Sequence, residues 1–155
     1  MAEYGYSTLL AQAGQIVDAT PSITTSFAAE EIIEMGRPLM RGTDPAKQVK
    51  NYVSGGDFTK KFLGISGYTA TEIKGNYPVG DMVSVLEWGR IYVPLITGLT
   101  ITAGDIAYLN QTTNSITNVS STNQIKIGRF QSSGTSDGLT GSQVFALEII
   151  PGFEV

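Results

Sequence analysis

A chain of 155 residues, 41% of them hydrophobic and only 15% charged, is long enough for one domain with its own core and short for two. That balance favours a folded chain, because disorder needs low hydrophobicity and high charge, and the net charge of −4 with scattered basic residues argues against nucleic acid as a partner. With no cysteine and no histidine, disulfides, zinc-thiolate sites and every Ser-His or Cys-His triad are ruled out.

The N-terminal stretch "MAEYGYSTLLAQAGQIV" carries Glu3 and no basic residue, unlike a signal or transit peptide. No apolar run approaches the roughly 20 residues that span a bilayer. Cytoplasmic synthesis without a membrane partner is therefore expected. Residues 1–20 read as an arm. Leu9, Leu10, Ala13 and Val17 fall at roughly helical spacing, but Gly5 and Gly14 each cost a helix about 1 kcal/mol relative to Ala. The expectation is an extended or partly helical arm. Tyr4, Tyr6, Leu9 and Leu10 give it more apolar bulk than a free tail, so it packs on something, such as a neighbouring subunit.

Residues 21–155 read as a single β domain. "SITTSFAA" is rich in β-branched residues, and "EEIIEMG" follows it up to a turn at Gly36. "RPLMRGTDPAKQVKNYV" is strand, turn, strand, with Gly42, Asp44 and Pro45 as the turn chemistry. "KKFLGISGYT" is a short apolar strand in which Gly64 marks a bulge or a close backbone approach. After the turn cluster "KGNYPVGD", the segment "MVSVLEWGRIYVPL" reads as a hairpin turned near residues 87–89. "TAGDIAYLNQTTNSITNV" is a hairpin turned at "NQTTNS", "NQIKIGRFQSS" is a further strand, "GTSDGLTGS" a loop, and "QVFALEIIPGFEV" closes the chain. Short strands with turns every 8–12 residues indicate an antiparallel β-barrel or sandwich built of short hairpins.

Two stretches share a plan. From Gly36 and again from Gly104 the order is turn, strand, polar loop, strand, then a strand with a central glycine, Gly64 or Gly128. These are expected to tile one barrel wall, and the units are too irregular and too few for a solenoid.

Candidate chemistry is sparse. Asp81 and Asp105 each follow a glycine and could form a carboxylate pair, but aspartate at a strand-entry turn more simply bonds nearby backbone N–H groups. Glu30 and Glu31 would face opposite sides of a strand, which makes them poor partners for one proton. "SGGD" and "SSGTSDGLTG" lack the spacing and lysine of a phosphate loop. Trp88, the lone tryptophan, either anchors a protein or sugar contact from a turn or folds back over the barrel end. No catalytic, metal or cofactor site is assigned.

Taken in order, "GQIVDA", "GRPLMRGTDP", "FLGIS", "YPVGDMVSVLEWGRIYV" and "AGD" resemble the structural cement, or capsid decoration, proteins of tailed bacteriophages, over about residues 14–130. The resemblance implies a non-enzymatic protein, made in the host bacterial cytoplasm, that binds the exterior of an icosahedral head. It would do so as a homotrimer at local three-fold positions, bridging major capsid protein subunits and stabilising the head. Contact residues would then be Tyr4, Tyr6, Leu9 and Leu10 in the arm, with Arg37, Arg41, Trp88 and Arg90 at the seams. Two rival readings are a receptor- or carbohydrate-binding fibre or spike domain using Trp88, and a hydrolase using Asp81 or Asp105.

Overall fold

In a computed structural model, residues 12–18, 20–69, 75–138 and 144–150 are described. Their regular structure is all β. The strands are β1 (Ile23–Ala29), β2 (Ile33–Glu34), β3 (Pro38–Arg41), β4 (Gln48–Asn51), β5 (Gly64–Ser66) and β6 (Asn76–Tyr77). After these come β7 (Met82–Val93), β8 (Thr100–Ile101), β9 (Ile106–Asn110), β10 (Ser115–Thr117), β11 (Gln124–Phe130), β12 (Gly134–Thr135) and β13 (Phe145–Ile149).

Nine of them make one sheet in the order β1-β4-β3-β5-β7-β13-β11-β9-β10, and β1 also pairs with β7. That extra pairing closes β1, β4, β3, β5 and β7 into a barrel, and the remaining four strands extend from β7 as an open sheet. Closure is not purely antiparallel as the hairpin reading expected: β1 runs parallel to β4, with Ala28 opposite Gln48 and Ala29 opposite Val49. Two distant segments meet there, so no turn chemistry announces the pairing.

Two cores lie on either side of one wall. Phe27, Leu39, Val49, Val83 and Val85 fill the barrel, joined by Ile33 and Tyr77 from the β2–β6 ribbon. Met40, Ile65 and Leu86 point the other way, where they pack with Ile91, Leu109, Ile127, Phe130, Phe145 and Leu147. The wall can serve both cores because successive side chains on a strand alternate faces.

The expected hairpin in "MVSVLEWGRIYV" is replaced by one continuous 12-residue strand, β7. Its pairing with β1 skips a residue, Ile23 facing Trp88 and Thr24 facing Leu86. A β-bulge inserts one extra residue and resets which face the following residues occupy. Leu86 and Ile91 are an odd number of positions apart, yet both reach the second core. The break in alternation that reads as a turn is therefore a bulge. It also moves Trp88 from a turn into a strand, where the residue is half-buried.

The two sequence units are recovered as structure. β3 pairs with β4 and β5, and β9 pairs with β10 and β11, so each unit is a three-stranded sheet centred on its first strand. They do not tile one wall: the first belongs to the barrel and the second to the open extension.

Candidate contact surface

The arm residues Tyr4, Tyr6, Leu9 and Leu10 lie outside the described residues. The described end of the arm is extended rather than helical. The N–H of Gln15 donates to the Gln12 carbonyl (3.0 Å), forming a turn, and the chain then pairs along β7. Gly14 N–H donates to Tyr92 O (2.7 Å), Tyr92 N–H to Gln15 O (2.9 Å) and Val17 N–H to Arg90 O (3.2 Å). A strand edge of unpaired backbone groups is a strong template, and here it overrides the helical spacing of Ala13 and Val17. Gly14 suits the site: at φ +82° it accepts a bond from Tyr68 N–H (2.8 Å), and a Cβ would lie 2.7 Å from the Ser66 carbonyl oxygen.

Arg90 fastens this arm from the side. Its Nη1 lies 3.1 Å from Asp18 Oδ2, and its Nε lies 3.3 Å from Glu148 Oε1 on β13. The Asp18 carboxyl is held below its ordinary pKa first by its bonds from Thr20, then by the Arg90 charge. Arg37 sits on the rim of the β2–β3 turn, 2.7 Å from Glu34 Oε2. The guanidinium of Arg41 donates to Pro45 O (2.7 Å) and stacks 5.3 Å from the centre of the Phe27 ring. The structure thus separates these arginines: Arg90 on the long strand, Arg37 and Arg41 at opposite ends of β3.

Asp81 and Asp105 occupy equivalent turns. Each aspartate N–H donates to the residue three before it, Pro78 O (3.1 Å) and Thr102 O (2.9 Å), with the intervening Gly80 and Gly104 at φ +90° and +97°. Each glycine N–H then donates to the end of the neighbouring strand, Ala29 O (2.9 Å) and Phe130 O (2.7 Å). The Asp105 carboxylate accepts from Asn118 Nδ2 and Thr102 N–H, both at 2.9 Å, and these bonds lower its pKa in that order. Its work is structural. The carboxylates of Glu30, Glu31 and Glu34 also go separate ways, to Thr43, Asn51 and Arg37.

What sequence reasoning missed is a set of exposed apolar side chains at one end of the barrel. Ile32 (58% exposed) precedes β2, Val79 (65%) lies in the turn joining β6 to β7, and Met82 (61%) starts β7. They were hidden because each sits in a different motif, and only the β2–β6 pairing and the Gly80 turn gather them. Two other concavities flank the arm and the joint between the units. A groove of about 230 Å³ lies between Ile16, Tyr68, Ser84 and Leu86, and a cleft of about 180 Å³ between Arg37, Tyr52, Asn114 and Ile116.

A joint of buried polar groups ties the two units together. Gln111 at the β9–β10 turn donates from Nε2 to Tyr52 Oη (2.9 Å), Phe58 O (2.9 Å) and Lys60 O (3.2 Å). Ser54 N–H donates to Asn114 Oδ1 (2.9 Å), and its hydroxyl donates to Gln111 O. Buried amides need this full set of partners, so the joint specifies one relative placement of loop and hairpin.

Comparison with known proteins gives the chain a family and a fold. Residues 2–144 match the family described as structural cement protein (E217 gp24/Pam3 gp6). A solved structure titled the capsid of Myoviridae phage XM1 superposes with a TM-score of 0.70 at 15% identity, over 90% of each chain. The N base of head fiber gp8.5 of bacteriophage phi29 gives a TM-score of 0.48 at 12% identity, over 84% of this chain and 95% of that one. The search against curated proteins returned no match.

Proposed function

The chain belongs to the structural cement protein family, a capsid-associated structural family of phages, and from that membership we propose that it binds the exterior of an icosahedral head and bridges neighbouring major capsid subunits. The carrying observation is the family match, which runs over residues 2–144 and so takes in the whole barrel core and every strand before β13. The protein works by contact area, as a block bolted across seams, and not by catalysis.

In this reading the working unit is a homotrimer at local three-fold positions. Three modest footprints on one rigid body act together, and the effective concentration of the second and third contacts supplies the strength. The arm, residues 1–20, extends onto the shell or the adjacent subunit, with Tyr4, Tyr6, Leu9 and Leu10 as its anchors. The seam is completed by Arg37, Arg41, Trp88 and Arg90, and by the apolar end made of Ile32, Val79 and Met82. Arginine suits such seams because its planar fork meets carboxylates in pairs.

Co-sedimentation with expanded heads that lack this protein tests the proposal. Saturable binding, and heads that then survive heating better, is the expected result. Heads that neither retain the protein nor gain heat resistance would contradict it.

A further inference from the structure

The mouth of the barrel carries a groove of about 420 Å³ between Met40, Arg41, Lys60, Lys61, Phe62, Leu63 and Glu87. Of the ten basic residues in a chain of net charge −4, three line this one concavity. Its floor is apolar and its rim basic. The acidic side chain among the lining, Glu87, accepts a hydrogen bond from the Thr25 hydroxyl across the β1–β7 bulge. Asp57 lies near Lys60 and has its carboxyl bound to the Thr59 N–H (3.0 Å) and hydroxyl (2.6 Å).

The basic side chains are presented from fixed points. The Lys60 carbonyl is held from two directions, by Tyr52 Oη (2.9 Å) and Gln111 Nε2 (3.2 Å), both parts of the buried joint. Leu63 N–H is bonded to Leu39 O (2.9 Å), which ties the other end of the segment to β3. Arg41 is braced by Pro45 O and by the Phe27 ring. A site whose backbone is already ordered loses less entropy when it binds.

We propose that this groove docks an acidic segment of the shell protein, one that sets carboxylates against Arg41, Lys60 and Lys61 and an apolar side chain on Met40, Phe62 and Leu63. The inference rests on the cement reading for the identity of its partner. Charge complementarity carries it: an acidic segment is repelled by a surface of net negative charge and attracted here, which selects one orientation and speeds encounter. The groove thereby gives the trimer a directional contact, distinct from the arm.

The first arm of the test titrates hexaglutamate, with hexaglutamine as control, into the full chain and follows the backbone amides by NMR. Shifts should concentrate at Arg41 and residues 60–63 and shrink as salt is added. Binding should weaken at least tenfold in the double variant K60E/K61E, or in K60Q/K61Q should the first fail to fold, and persist in K126E, an exposed cation on β11. Shifts absent, or spread equally over Lys47 and Lys126, would overturn the proposal. The second arm uses heads lacking the protein. There K60E/K61E should bind at least tenfold more weakly than wild type while K126E binds normally. Equal binding of K60E/K61E and wild type would overturn the groove and leave the cement reading standing. Wild type that binds no heads would strike the cement reading, and the peptide titration would then decide the groove alone.

Discussion

The barrel unit β4-β3-β5-β7 and the outer unit β10-β9-β11-β13 are built to one plan and end differently. Each has a hairpin whose first strand is central, a third strand with a glycine, and a Gly-Asp turn clamped to a neighbouring strand end. In both, that glycine is pressed by the next strand: a Cβ on Gly64 would overlap the Leu86 carbonyl oxygen, and one on Gly128 the Glu148 carbonyl oxygen. What separates them is β1. It pairs with both β4 and β7 and rolls the first unit shut, whereas β10 ends the sheet of the second. The lesson is that closure comes from one strand contributed from outside the repeat, not from the repeat itself. The open unit instead gains its burial by packing against the outer face of the closed one.

The sharpest way to break this comparison is at the two glycines. Gly128→Ala should cost about 3 kcal/mol, because a Cβ there also meets the Glu148 carbonyl carbon at 2.8 Å and only backbone can move. Gly64→Ala should cost about 2 kcal/mol, since part of its clash is with a movable Val85 Cγ1 at 2.8 Å. Urea unfolding of the two variants checks both the size and the order. A Gly128→Ala protein as stable as wild type would mean that the outer unit does not need its close strand approach.

Next in size is the joint between the units. Gln111→Leu leaves Tyr52 Oη and the Phe58 and Lys60 carbonyls without their amide donor, at an expected cost of about 2 kcal/mol. Amide exchange should quicken in residues 52–60 and in the β9–β10 turn while the barrel strands keep their protection. Uniform quickening would show that the two units unfold as one.

Arg90→Ala should change global stability by less than about 1 kcal/mol, since its two ion pairs are partly exposed. Its effect should be local instead, with faster exchange at Gly14 and Val17, the arm amides bonded to β7. The smallest expected effect is acid sensitivity at the Gly104 turn. Folding depresses the Asp105 pKa, so the bonded carboxylate contributes stability above its unfolded value of about 3.9 and loses it as pH falls through the folded value. Asp105→Asn should therefore flatten the loss of stability below about pH 4, which thermal melts across that range would read.

The local part of this architecture was legible in the sequence. Gly42, Asp44 and Pro45 mark the β3–β4 hairpin, "NQTTNS" marks the β9–β10 turn, and Gly64 signals the close approach that its neighbours show. Asp105 also takes the turn role expected of an aspartate after glycine. The non-local part was not legible. The parallel β1–β4 contact has no turn to signal it, and the β7 bulge imitates a turn because Glu-Trp-Gly breaks the apolar alternation. The buried partners of Gln111 all lie in the loop between β4 and β5, some fifty or more residues away in the chain, which no spacing rule could gather. The adjacent Lys60 and Lys61 were visible as "TKKF", but the meeting with Arg41 depends on β3 lying beside β5.

Cryo-electron microscopy of heads decorated with the protein tests the central claim most directly. The expected result is density for the two-unit body on the outer surface, lying across boundaries between shell subunits, with the barrel mouth and the start of the arm turned toward them. Density confined to the interior, or standing on a single subunit without crossing a boundary, would contradict it.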